Sequence, residues 1–160
     1  MLKWMIIAFF LPLYAAAASE QPPVNVEIIV DVCMALNVSD AAVKGGALHW
    51  HRIIDKEWEK SFTRYNGGTV EVVGWRGGDD ERDGLLSFWI ANGPSPHKSC
   101  SYIGPASGEE IIKETTARLG VPSTLKTDEL GTFAEWGVDS ERVELYRVGT
   151  LVSITFLPRL

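Results

Sequence analysis

Basic residues are scarce in this 160-residue chain: 15 lysines and arginines stand against 21 aspartates and glutamates, a net charge of −6. Nucleic-acid binders draw most of their affinity from neutralising phosphates with Lys and Arg, so this balance argues against a nucleic-acid partner. It is compatible with a cationic protein or a small ligand, and a net negative charge also keeps a protein soluble. Cysteine is equally sparse, with two in the whole sequence and no Cys-x-x-Cys pair, which removes the usual redox motif. The nucleophile elbow Gly-x-Ser-x-Gly, the metal motif His-Glu-x-x-His and the glycine-rich phosphate loops are all missing. Acyl transfer on a strained elbow, helix-borne zinc hydrolysis and nucleotide binding therefore have no sequence support. Neither a catalytic set nor a cofactor or metal site is expected.

Long apolar runs are confined to the beginning. Trp4 to Ala18 contains no charged residue, follows Lys3 and ends in four alanines before Ser19. A basic start, an apolar middle and small residues at the end make a secretory signal, and cleavage is expected after Ala18. The run has 15 residues, short of the roughly 20 needed to cross a bilayer core. The expected organisation is a signal peptide at 1–18, a flexible Pro-containing leader at 19–24 and one domain at 25–160. Removing residues 1–18 leaves 142 of the 160 and, with the loss of Lys3, takes the net charge from −6 to −7. An exported chain meets an oxidising compartment, where an even cysteine count points to a disulfide, Cys33–Cys100. That bond would close a loop of 67 residues, worth roughly 4 kcal/mol in the chain-entropy account.

What remains is a pattern of periodicities. Residues 27–37 mix helical spacing with β-branched residues and are assigned to a helix. Ser39 is a candidate N-cap for a short helix over 40–47. Trp50, Ile54, Trp58 and Phe62 recur every four residues, which predicts an amphipathic helix over 49–65 with that stripe in the core, stopped at Asn66-Gly67-Gly68. Residues 69–75 and 85–91 alternate as a hairpin, and 99–103 is a third strand. Ser107 with Glu110 forms a capping-box pattern opening a helix that ends at Gly120 and Pro122. Three further strands are expected at 132–136, 142–147 and 151–157. The sum is an α+β fold: an antiparallel sheet of about five or six strands with three or four helices packed on one face. With Cys33 on a helix and Cys100 on a strand, the disulfide would pin the helical layer to the sheet.

Two clusters attract attention as sites. Asp79, Asp80, Glu81 and Asp83 crowd the loop 77–84. They resemble the opening of a calcium loop, but the twelfth position, where an EF-hand needs a bidentate Glu, is Ile90. The plain reading of the cluster is a solvated hairpin loop; as a contact surface for a partner, the candidates are this acidic loop or the Pro-containing loop 92–98. His49, His51 and His97 are the three histidines. If they converged they would support a metal-assisted hydrolase, although ligands on a helix prefer i, i+4 spacing. Of the five tryptophans after residue 18, most are expected in the core. Asn37-Val38-Ser39 is a glycosylation sequon in a eukaryotic secretory pathway and also sits beside an expected helix cap. The sequence therefore points to an exported binding, interaction or inhibitor-type protein of the periplasm or extracellular space, with an exported hydrolase as the alternative.

Intact-mass measurement of the protein recovered from its export compartment tests the first part of this reading. The expected mass is that of residues 19–160 less two hydrogens, rising by two on reduction. A species retaining residues 1–18 would refute the cleavage site.

Overall fold

The second half of the chain alternates apolar residues with polar ones, and that period of two produces strands with two unlike faces. In the computed structural model, residues 24–78, 83–104, 108–138 and 141–158 are described. Four helices are present among them: α1 (Val26–Cys33), α2 (Val38–Gly45), α3 (Lys56–Asn66) and α4 (Gly108–Leu119). Eight strands complete the fold: β1 (His51–Arg52), β2 (Thr69–Arg76), β3 (Leu85–Asn92), β4 (His97–Ile103), β5 (Thr124–Thr127), β6 (Thr132–Val138), β7 (Glu141–Val148) and β8 (Leu151–Pro158). The fold is α+β. The strands form one antiparallel sheet in the order β1-β2-β3-β4-β8-β7-β6-β5. Two four-stranded meanders thus meet where β4 pairs with β8, and α4 makes the connection from β4 to the far edge. The strand count exceeds the five or six expected, because the two extra strands are the short edges. β1 has two residues and β5 four, too few for periodicity to reveal. Short edges also limit unwanted pairing with other chains.

One face of the sheet carries the core. Val73, Phe88, Cys100, Ile154, Leu145 and Ala134 lie side by side across six strands, and all are buried. α1 covers this row with Ile29, Val30, Val32 and Cys33. Burying each large aliphatic side chain contributes roughly 1.5–3 kcal/mol. The disulfide joins Cys33 of α1 to Cys100 of β4, with Cα atoms 5.2 Å apart, and pins the helical layer to the sheet as expected. α2 lies on the same face. A Cβ on its Gly45 would stand 2.1 Å from the Trp75 ring, so glycine is what lets α2 reach the sheet. α4 is held to α1 by Arg118, which bonds Asp31 and also donates to Glu114 at 2.9 Å. Burial opposes the guanidinium charge, but the two carboxylates raise its pKa above the ordinary value. Trp136 is buried and donates its Nε1 hydrogen to the Gly120 carbonyl at 2.8 Å, fixing the end of α4 against β6.

Several helix limits differ from the sequence reading. α1 stops at Cys33 rather than running to Asn37. The cap of α2 is Asn37, whose side chain accepts from the Asp40 amide at 2.8 Å, and not Ser39. Asp40 answers by accepting from the Leu36 amide at 2.9 Å, a reciprocal arrangement akin to a capping box. The expected helix over 49–65 begins only at Lys56. His49 takes a left-handed conformation at φ 55°, β1 pairs with β2, and the Asp55 carboxylate accepts from the Glu57 and Trp58 amides. Trp50 therefore stacks on Tyr102 at 6.4 Å from outside any helix, and Ile54 is 84% exposed. Gly67 ends α3 at φ 67° as expected. The proposed cap Ser107 lies outside the described residues, as do residues 1–23.

The placement of α3 is the larger correction, since not all the helices share one face. Gly74 points away from the core between Val73 and Trp75, and a Cβ there would meet the Trp58 ring at 2.5 Å. α3 therefore packs on the opposite face, over β2 and β3, while α1, α2 and α4 cover the core face. No helix among the described residues is long and apolar enough to cross a membrane.

Replacing both cysteines by alanine should lower the unfolding free energy by about 2–4 kcal/mol, read as a lower denaturant midpoint with a steeper slope, because the unfolded chain without the cross-link exposes more surface. Equal stability of wild type and variant under oxidising conditions would show that the bond does not form.

Candidate functional site

On the face opposite the core, the outward positions of the central strands have an unusual composition. Solvated sheet faces ordinarily take long charged or polar side chains. β7 and β6 follow that rule with Arg142, Glu144 and Glu135. β3, β4 and β8 do not: Ser87, Ser101 and Ser153 lie in register across three strands. Trp89, Ser99 and Thr155 form the next row. Small hydroxyl residues leave a trough, and α3 builds one wall of it with Trp58, Ser61, Phe62 and Tyr65. The result is an open groove of about 700 Å³, within the range of small-molecule sites.

The aromatic wall is internally packed. Trp58 and Phe62 meet edge to face at 4.8 Å, and Phe62 and Trp89 at 5.2 Å. Such pairs add roughly 0.5–1.5 kcal/mol beyond the area they bury. Tyr65, at the α3 rim, is 88% exposed. Trp89 Nε1 is shielded from solvent and has no hydrogen-bond partner among the described residues. An orphaned donor of this kind costs roughly 1–3 kcal/mol. On the other side of the sheet face Phe133 and Tyr146 pair at 4.8 Å. Burial first, and then the Glu144 carboxylate, raise the Tyr146 pKa above the usual phenol value, so its hydroxyl is a neutral donor at ordinary pH.

The floor is partly tied down and partly free. Ser99 Oγ lies 3.2 Å from the Ile154 carbonyl, to which it can donate, and 2.9 Å from Thr155 Oγ1. Ser153 donates weakly to the Cys100 carbonyl at 3.5 Å. Ser87 and Ser101 make no side-chain hydrogen bond among the described residues. At one end His97 Nδ1 donates to the Ser95 carbonyl at 2.8 Å, which leaves Nε2 as an acceptor. At the other end Leu85 and Leu151 close the groove with apolar surface. Among the described residues no Asp, Glu, Lys or Arg lines it.

The sites foreseen from sequence fall elsewhere. Asp79, Asp80 and Glu81 lie outside the described residues. Asp83 stands at the base of that loop, where the Gly77 amide donates to the Gly84 carbonyl at 2.9 Å, and Gly78 has no room for a Cβ beside the Asp83 carboxylate. The histidines are not brought together. His51 is paired with Arg76 at one end of β2, while His97 aligns through Ala91 with Val70 at the other. Six residues of strand separate those ends, roughly 20 Å. His49 is exposed on the turn before β1. Among the described residues no three His, Cys, Asp or Glu side chains converge on a metal position. His97 is the one histidine at the groove, and among the described residues no hydrogen bond joins it to a floor hydroxyl. The arrangement thus presents uncharged donors, acceptors and aromatic surface, without a nucleophile already paired to a base.

Sequence reasoning found the strands of the groove but not the groove. Its signal was present in Ser99-Cys100-Ser101-Tyr102 and Val152-Ser153-Ile154-Thr155, where every second residue is a hydroxyl and none is charged. No family model, curated protein or solved structure matches the chain.

Gly74→Val tests how the wall is held. The added side chain occupies the position of the Trp58 ring and should undock α3. Amide exchange of residues 56–66 should then accelerate at least tenfold while α1 stays protected. Unchanged protection of α3 would mean that Trp58 does not anchor it.

Proposed function

We propose that this chain is an exported, non-catalytic binding protein whose contact surface is the groove between α3 and the open face of the sheet. The observation that carries the reading is the strip of small hydroxyl side chains on three adjacent strands beneath an aromatic wall. A sheet face that merely met water would gain solubility and strand propensity from longer polar residues there. A pocket lined by apolar and aromatic groups with a few fixed polar ones is the ordinary form of a ligand site. The Cys33–Cys100 bond supports the exported half of the proposal, since such bonds persist in oxidising compartments. The periplasm or extracellular space is the proposed location. The proposed contact surface is the groove rather than the acidic loop 77–84. That loop leaves the sheet at Arg76 and returns at Leu85, next to the apolar end of the groove.

A fragment screen read by amide chemical shifts tests the proposal. Fragments that bind should move the amides of Ser87, Ser99, Ser101, Ser153 and Thr155 together. Ser101→Leu, which fills the floor, should abolish those shifts while the amide spectrum of the core face stays native. Fragment hits scattered over the surface, or gathered elsewhere, would overturn the assignment of the groove.

A further inference from the structure

We infer that the ligand of this groove is a neutral saccharide; the inference rests on the binding reading above and names its ligand class. Charge disfavours the main alternatives first. Among the described residues no Lys or Arg stands in the lining, so a phosphate or carboxylate that left water there would find no counter-charge. No Asp or Glu among them stands there either, so an ammonium group would fare no better. A charge taken out of water without a partner costs several kcal/mol.

An acyl chain or other wholly apolar ligand fails on the floor. It would cover the hydroxyl of half-buried Ser101, which has no protein partner among the described residues, at roughly 1–3 kcal/mol for the group left unsatisfied. A flat protein partner fails on shape, since it would rest on the rim and leave the floor of the trough unfilled. A sugar satisfies both surfaces. Its ring has an apolar C–H face that lies against aromatic rings, here Tyr65, Phe62 and Trp89. Its hydroxyls donate and accept in the plane of the ring, which suits Ser101, Ser153 and the free Nε2 of His97. A serine hydroxyl that donates to the backbone keeps acceptor lone pairs for a ligand, so even the tied-down Ser153 contributes.

The test uses the mature, disulfide-intact chain, labelled with nitrogen-15 and titrated with maltotetraose, cellotetraose and chitotetraose. At least one should give saturable shifts at the Trp89 indole and at the amides of Ser99, Ser101 and Ser153. Ser153→Ala, which removes one hydroxyl without adding volume, should weaken that binding several-fold. Ser101→Leu should weaken it more than tenfold, equivalent to about 1.4 kcal/mol. Trigalacturonate, which carries carboxylates, should leave these signals unmoved. If the neutral sugars are silent while the apolar dye N-phenyl-1-naphthylamine or small fragments still bind in the groove, the saccharide assignment is overturned and the binding reading stands. Silence from sugars, dye and fragments alike overturns both.

Discussion

Strand β4 pairs with β3 on one side and β8 on the other, and the rest of the molecule is referred to that register. Its even-numbered residues Cys100 and Tyr102 are buried in the core, while Ser99 and Ser101 face the groove. Because the side-chain period of a strand is two, a slip of one residue would exchange these sets. The serines would enter the core without partners, and Cys100 would turn away from α1. The disulfide from Cys33 holds the register in place from the helical side. Core and groove are therefore two consequences of one alignment.

The same alternation explains how far the fold was legible. Strands β2, β3, β4, β6, β7 and β8 carry six or more alternating residues, or flank a turn, and could be read directly. β1 and β5 owe their strand form to a neighbour's unpaired edge, which no local pattern records. α3 shows the opposite limitation. Its apolar stripe is real, and Trp58 and Phe62 do face the sheet. Ile54 and Trp50 continue the spacing of four by coincidence, ahead of the helix. The competing signal was Asp55, an N-cap placed in the middle of the supposed helix, and it prevailed because it satisfies two amides at once. Periodicity also could not say which face of the sheet a helix would take. That choice rests on Gly74, whose missing side chain admits Trp58 to the face opposite the core.

The site was less legible than the fold for a related reason. Residues that drew attention in the sequence were chemically conspicuous: three histidines and a run of carboxylates. Conspicuous chemistry works only if the topology gathers it, and the antiparallel register holds His51 and His97 at opposite ends of the sheet. The floor of the groove is assembled from serines and one threonine, common residues that carry no signal singly. Only the pairing of three strands, β4 and β8 being separated by about fifty residues of chain, makes them one surface. A sequence reading that asked which outward strand positions avoid charge would have found them.

That avoidance has a further consequence in an acidic protein. The chain carries a net charge of −6, yet the described side chains that line the groove are neutral, and the outward carboxylates of β6 and β7 lie beside them, Glu144 being paired in register with Thr155. Glu144 is partly neutralised there by Arg142 at 3.0 Å. The overall field repels anions approaching the surface, while the described lining of the groove offers no fixed charge to hold any ion once inside. Selection in such a site cannot come from long-range steering; it must come from shape, from aromatic contact and from hydrogen bonds made at short range. A ligand suited to those terms is uncharged, flat on one side and rich in hydroxyls on its edges, and its affinity should be insensitive to salt because no ion pair is formed or broken.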